Sequence, residues 1–299
     1  MPRSQTLFAR RTVRRFLDAM PGRAGRRNGA EGAPDVEELR KRLRRTRRAL
    51  KKSEEQVEQL RNEIGTTRAS VRDPFPGTEL TDHVTRAIAG VREESLTYLS
   101  PENLGVLASV VAEAERAARP GLIIEAGTAL GGSAIVLGAA KSPERPMKVY
   151  DVFGMIPEPS EADGPDVHKR YERIKSGGAK GVGGKTYYGY RDDLMHEVTE
   201  SFTRHGVPLA ENNTELVKGL FQDTIDLDEP VAFAHLDGDW YESTMVCLER
   251  IAPLLVPGGR IVLDDYYAWS GCRTAVDEYF SGRAGFRLER RTKVHVVRT

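Results

Sequence analysis

From residue 121 onward, short apolar runs alternate with segments whose apolar residues recur every three or four positions. "GLIIEAG" (121–127), "MKVYDVFG" (147–154), "TELVKGLF" (214–221), "VAFAHLDGD" (231–239) and "GGRIVLDDYY" (258–267) read as strands. "GGSAIVLGAAKS", "RDDLMHEVTESFTRHG", "YESTMVCLERIAPLL" and "GCRTAVDEYFSG" read as the helices between and after them. A terminal pair, "FRLERR" and "KVHVVRT", brings the strands to seven. Such alternation predicts an α/β fold, a doubly wound and mostly parallel sheet with helices on both faces. Upstream, "LTYLSPENLGVLASVVAEAERAARPG" reads as helices, with Ser100 an N-cap and Pro101 the first helical residue.

The first 80 residues have a different texture. Residues 1–33 are Gly-, Arg- and Pro-rich without period and read as a flexible basic segment. Over 34–65 no breaker interrupts a long charged helix, in which Val36, Leu43, Leu50, Val57 and Ile64 recur every seven residues. The companion positions Leu39, Thr46, Ser53 and Leu60 leave the middle of that seam polar. Both a short parallel coiled coil, which would make the protein a homo-oligomer, and a single solvated helix fit this pattern. Residues 66–80 read as a linker, and 81–299 as the main domain.

Charge sharpens that division. The net charge of +1 conceals 20 basic and 9 acidic residues in 1–72, against 25 and 35 in the remainder. A basic arm thus precedes an acidic domain. No aromatic residues interleave the charges of the 34–65 helix and no base-reading module accompanies them, so nucleic acid is not the expected partner. With two cysteines, no secretory signal and no apolar run long enough to span a membrane, the expectation is a cytoplasmic protein without a disulfide framework.

The candidate chemistry gathers where the predicted strands end, the edge at which such sheets bind ligands. In "EAGTALGGS" (125–133), Glu125 ends the first strand, and Gly127, Gly131 and Gly132 allow a tight turn into a helix N-terminus. The spacing is neither that of a dinucleotide fingerprint nor that of a P-loop. Asp151 ends the second strand, where an acidic residue can accept both hydroxyls of a ribose. Gln222 and Asp223 in "GLFQDT" follow the third strand, where they cap a turn or meet an adenine edge. Asp237, Asp239, Asp264 and Asp265 follow the fourth and fifth strands. Adjacent parallel strands lie about 4.8 Å apart, so these carboxylates can converge. Converging carboxylates repel unless a cation joins them, and an all-oxygen set suits Mg²⁺ or a similar hard ion. Capping and turn formation explain one or two of the four, not all.

"EAGTALGGS", "YDVFGMIPEPS", "GLFQDT", "LDGDWYEST" and "LDDYY", in that order over roughly residues 80–299, resemble the macrocin O-methyltransferase family. A more distant likeness is to catechol O-methyltransferase. The resemblance implies a Rossmann-like class I methyltransferase fold that uses S-adenosylmethionine (SAM) and Mg²⁺ to methylate a hydroxyl of a sugar on a natural product or glycan. It implies that Glu125, Gly127, Gly131 and Ser133 line the SAM site, that Asp151 holds the ribose and that Gln222 and Asp223 lie near adenine. Asp237, Asp264 and Asp265 would hold Mg²⁺, and Asp239 would be the general base. At the second strand the family pattern D-T-F-E-G is here "DVFGM", without the Thr and the Glu. Phenol or catechol methylation, methylation of nucleic acid and a non-catalytic interaction role are the competing readings.

The Gly-rich stretch 155–190 reads as a lid-like insertion near the predicted cleft or as a surface loop. Its Tyr187, Tyr188 and Tyr190 are candidates to stack on an acceptor. His168, His196 and His205 are the alternative bases, and Trp240 is expected to pack rather than react.

Overall fold

The computed structural model describes residues 37, 40–52 and 79–299. The predicted flexible segment 1–33, nearly all of the linker 66–80 and more than half of the predicted helix 34–65 lie outside the described residues. Residues 40–52 of that helix are helical, and its heptad residues Leu43 and Leu50 are 51% and 59% exposed. They belong to one compact unit, residues 1–65, and the rest of the chain to a second, 66–299.

In the second unit, α1 (Asp82–Glu93) and α2 (Pro101–Arg116) precede the sheet. There follow β1 (Leu122–Ala126), α3 (Gly132–Ala140), β2 (Met147–Asp151), α4 (Pro165–Lys175), α5 (Leu194–Arg204), β3 (Thr214–Lys218) and the single turn α6 (Phe221–Thr224). The chain continues through β4 (Val231–Leu236), α7 (Tyr241–Ile251), β5 (Leu255–Leu263), α8 (Ser270–Phe280), β6 (Phe286–Arg290) and β7 (Val294–Arg298). At α2 the expected cap is present: Ser100 Oγ accepts from the Asn103 N–H at 3.2 Å, and Pro101 opens the helix.

The seven strands are ordered β3-β2-β1-β4-β5-β7-β6. The first five run parallel, and β7 is antiparallel to both β5 and β6. Every residue of β1 and β4 is buried, because helices cover both faces. Val91, Leu104 and Phe202 of α1, α2 and α5 pack one face, and Leu248, Ile251 and Val276 of α7 and α8 the other. This is the doubly wound sheet that the alternating pattern predicts.

Two details differ from the sequence reading. β5 begins at Leu255 rather than at Gly258, and a register shift in the β4–β5 pairing, together with Gly258 at φ 76°, absorbs the Pro-Gly-Gly within it. The 155–190 insertion is largely folded. It holds α4, two 3₁₀ turns and a small core of its own built on Val167, Ile174, Tyr187 and Trp240.

Strand order changes direction at β1. From there the chain goes to β2 and β3 on one side and to β4 and β5 on the other. The crevice at the carboxyl ends of β1 and β4 is therefore where an α/β sheet of this kind takes its ligand.

Candidate active site

Register builds the site. Ala126 of β1 pairs with Leu236 of β4, which pairs with Leu263 of β5. The next residues, Gly127, Asp237 and Asp264, therefore leave three neighbouring strands side by side. Backbone bonds continue past the strand ends: Asp237 N–H donates to Ala126 O at 2.8 Å, and Asp264 N–H to Leu236 O at 2.9 Å. Gly127, at φ 89°, cannot carry a side chain, since a Cβ there would lie 2.0 Å from the Asp237 carbonyl oxygen.

These strand ends open onto a cavity of about 310 Å³, a size suited to a small-molecule ligand. Of the residues expected at the cofactor, Gly127, Asp151 and Gln222 line it. Glu125, Gly131, Ser133 and Asp223 do not. Gly131 supplies the left-handed N-cap of α3 at φ 86°, and Asp223 is exposed on α6. Asp151 is 6% exposed and already clamps the turn. One of its oxygens accepts from Thr128 and Ala129 N–H at 2.8 and 2.9 Å, and the other from Phe153 N–H at 2.7 Å. A carboxylate has about four lone-pair directions. One is left for a ligand hydroxyl, where the sequence reading gave Asp151 both hydroxyls of a ribose. Burial pushes its carboxyl up, against those three N–H bonds. Left-handed backbone at three non-glycine residues, Ala129, Phe153 and Asp239, surrounds this end of the sheet, a concentration of strain typical of functional sites.

The four aspartates divide in a way their spacing does not reveal. Oxygens of Asp237, Asp239 and Asp265 all lie within 4.8 Å of one another. Burial, and then the neighbouring carboxylates, push the Asp237 and Asp239 carboxyls well above the usual range. Asp265 is pushed up to about 6 by burial and Asp264, and it also accepts the Asp239 N–H at 3.0 Å. Three converging carboxylates with hard oxygen donors fit a divalent ion. Asp264, expected among them, is turned aside. Its Oδ2 pairs with Lys293 Nζ at 2.8 Å, and its Oδ1 lies 3.6 Å from His235 Nε2, an ionic contact too long for a hydrogen bond. Burial would raise its carboxyl, but Lys293 and His235 outweigh that and hold it well below the usual range. Asp239 thus lies in the close group of three, and Asp264, also at the cavity, lies outside it.

A chain of paired charges runs across three strands and reaches the cavity at Asp264. Ser133 Oγ–H donates to Glu125 Oε1, and Glu125 Oε2 meets His235 Nδ1 at 2.9 Å. Asp264 and Lys293 complete it. Burial would lower the His235 pKa, but Glu125 and Asp264 raise it to about 10, so the ring is a buried imidazolium. Neither His235 nor Lys293 is singled out by motif. The available signal was a histidine inside the apolar run "VAFAHL", in register opposite Glu125 of the neighbouring strand.

The insertion supplies the far wall. Tyr187 and Tyr188 line the cavity, whereas the Tyr190 hydroxyl donates to the Ile174 carbonyl and accepts from Ala179 N–H. Trp240 packs as expected: it is 2% exposed, its indole N–H donates to Pro157 O at 3.0 Å, and its ring meets Trp269 edge-on. His168, His196 and His205 do not line the cavity; His196 pairs with Glu200 on the surface, and His205 with Glu94. Cys247 and Cys272 are buried free thiols.

Comparison with known proteins places this arrangement. The sequence pattern that defines the macrocin O-methyltransferase (TylF) family matches residues 97–285. The chain is 34% identical over 172 residues to 8-demethyl-8-(2,3-dimethoxy-α-L-rhamnosyl)-tetracenomycin-C 4'-O-methyltransferase of Streptomyces olivaceus, covering 56% of this chain and 60% of that relative. It is 29% identical over 197 residues to mycinamicin III 3''-O-methyltransferase of Micromonospora griseorubida, covering 61% and 69%. Among solved structures the fold is similar to that of the O-methyltransferase NovP, with a TM-score of 0.56 at 23% identity over 81% of this chain and 99% of that one. Calicheamicin methyltransferase CalS11 gives a TM-score of 0.53 at 17% identity over 93% and 99%. The sheet order is thus that of class I methyltransferases, and with more than half its length matched, the chain belongs to the macrocin O-methyltransferase family.

Proposed function

We propose that this protein is a SAM-dependent O-methyltransferase that uses a divalent cation, Mg²⁺ or a similar ion, to methylate a hydroxyl of a sugar on a natural product or glycan. The observation that carries the reading is the single cavity shared by the Gly127 turn, Asp151 and the Asp237–Asp239–Asp265 trio. The acceptors named for two relatives, a rhamnosyl-bearing tetracenomycin and mycinamicin III, agree with it.

SAM would supply the methyl group, and a divalent cation would lower the pKa of the acceptor hydroxyl. The chain's residues do the rest. The turn at Gly127 and Ala129, fixed by Asp151, shapes the wall for the nucleoside, with Gln222 beside it. Asp237 and Asp265 would hold the cation. Asp239, the third carboxylate of the trio, would accept the hydroxyl proton. Trp240, Trp269 and Tyr187 exclude water and hold the acceptor in line, which supplies much of the rate.

The test is calorimetric titration of the full chain with S-adenosylhomocysteine, with and without Mg²⁺, followed by a pool of glycosylated acceptors. Nucleoside binding, with acceptor binding only when Mg²⁺ is present, is the expected result. A folded protein that binds no nucleoside would end this reading. Asp239→Asn is expected to retain Mg²⁺ and lose turnover by about a hundredfold or more; loss of Mg²⁺ binding would make Asp239 a ligand instead.

A further inference from the structure

α4 buries one stripe of its surface. Val167 and Ile174 are 0% and 1% exposed, while His168, Lys169, Glu172 and Arg173 are exposed. Arg170 comes three residues after Val167 and four before Ile174, so it falls on the buried stripe. An apolar residue is the ordinary occupant of such a position. Arg170 instead lines the cavity, half-buried, with its guanidinium 5.8 Å from the centre of the Tyr187 ring. Among the described residues it makes no ion pair and donates no hydrogen bond to protein. Its charge acts on Asp239 and Tyr98, both of which also line the cavity.

We propose that Arg170 selects acceptors that carry an anionic group, a carboxylate or a phosphate, which it holds while the hydroxyl to be methylated lies against the carboxylate trio. The inference rests on the function proposed above and names the acceptor class for the same site. A guanidinium offers up to five N–H donors in a planar fork that matches a carboxylate or phosphate. Tyr187 orients that fork, so less freedom is lost when an oxyanion arrives. The trio does not need Arg170 as its counter-charge, because the cation answers its repulsion. The cavity then offers a hydroxyl site at the strand ends and an anion site on α4, and the aromatic rings of Tyr98, Trp240 and Trp269 also line it to cover the acceptor body.

The experiment uses full-length protein saturated with S-adenosylhomocysteine and Mg²⁺. Calorimetry compares phenyl glycosides with the matching phenyl glycuronides in gluco, galacto and manno configurations, and free hexoses with their 1-phosphates. Within at least one pair the anionic member should bind roughly tenfold or more tightly, and added salt should erode that preference. Carboxylate and phosphate pairs show which oxyanion is preferred. R170M should abolish the preference, and R170K should keep part of it through charge alone. The proposal is overturned if no anionic member is preferred, if R170M keeps the preference, or if R170M weakens neutral and anionic members alike, as a mere counter-charge to Asp239 would. It is also overturned if R170M loses S-adenosylhomocysteine, which would move Arg170 to the cofactor. Failure of the underlying function shows separately, as wild-type protein that binds no S-adenosylhomocysteine.

Discussion

Asp264 and Asp265 are consecutive residues at the end of β5, yet they belong to regions with opposite electrostatics. Asp264, although it lines the cavity, takes part in the alternating series Glu125–His235–Asp264–Lys293, where each charge touches one of opposite sign. In the cavity, Asp265 takes part in a trio of like charges whose oxygens lie within 4.8 Å of one another. Paired buried charges are satisfied by the fold and report on structure. Like charges crowded together oppose the fold and report on a ligand that relieves them.

The largest expected effect breaks the paired region. Lys293→Met leaves the buried Asp264 charge with only the longer contact to His235 and should cost about 3 kcal/mol, read from urea denaturation. The double variant Lys293→Met with Asp264→Leu should recover most of that loss, since both charges are then gone. A loss that persists in full would show that Lys293 contributes packing and not charge. In the other region the sign reverses. Asp265→Asn relieves repulsion and should raise the melting temperature of cation-free protein, by about 1 kcal/mol in stability, while removing the further rise that Mg²⁺ gives the wild type. If the variant melts lower and still responds to Mg²⁺, the trio is not the cation site.

The pH dependence sharpens the same contrast with a smaller effect. Asp265 has a folded-state pKa raised to about 6, above that of an unfolded Asp. The stability it contributes is present at low pH and is lost as pH rises through about 6. The rise in melting temperature produced by Mg²⁺ should therefore be full near pH 7.5 and shrink toward pH 5, as protons take the cation's place. For Asp264, held low, the sign is opposite: its contribution is present at neutral pH and is lost only in strong acid. A differential scan at both pH values, with and without Mg²⁺, checks the pair.

Much of this was legible in the residues. Apolar runs ending in Gly127, Asp151, Asp237 and Asp264 announced a parallel sheet whose strand ends converge, and the register confirmed that convergence. Which aspartate joins the close trio was not legible, since both Asp264 and Asp265 line the cavity. The choice between Asp264 and Asp265 depends on Lys293, a residue 29 positions away at the start of the last strand. His235 was hidden because a buried ionised histidine needs Glu125 on the adjacent strand and Asp264 on the next, and no local pattern encodes both. The insertion concealed α4 because "PDVHKRYERIK" is mostly charged and gives only Val167, Tyr171 and Ile174 as a helical stripe.

The insertion is also stitched to the loops that carry the carboxylates. Asp163 Oδ1 accepts the Tyr241 N–H at 2.8 Å, Asp166 accepts from both the N–H and the hydroxyl of Ser270, and Pro157 O accepts the Trp240 indole. Gly271 completes the join, since a Cβ there would lie 1.9 Å from Asp163 Oδ1. If, as proposed, the insertion helps to hold the acceptor, acceptor preference in this scaffold is not a detachable module. A segment 155–190 transplanted from a relative with a different substrate must bring compatible residues at 240, 241, 270 and 271, or the graft will disturb the reaction centre it was meant to leave alone.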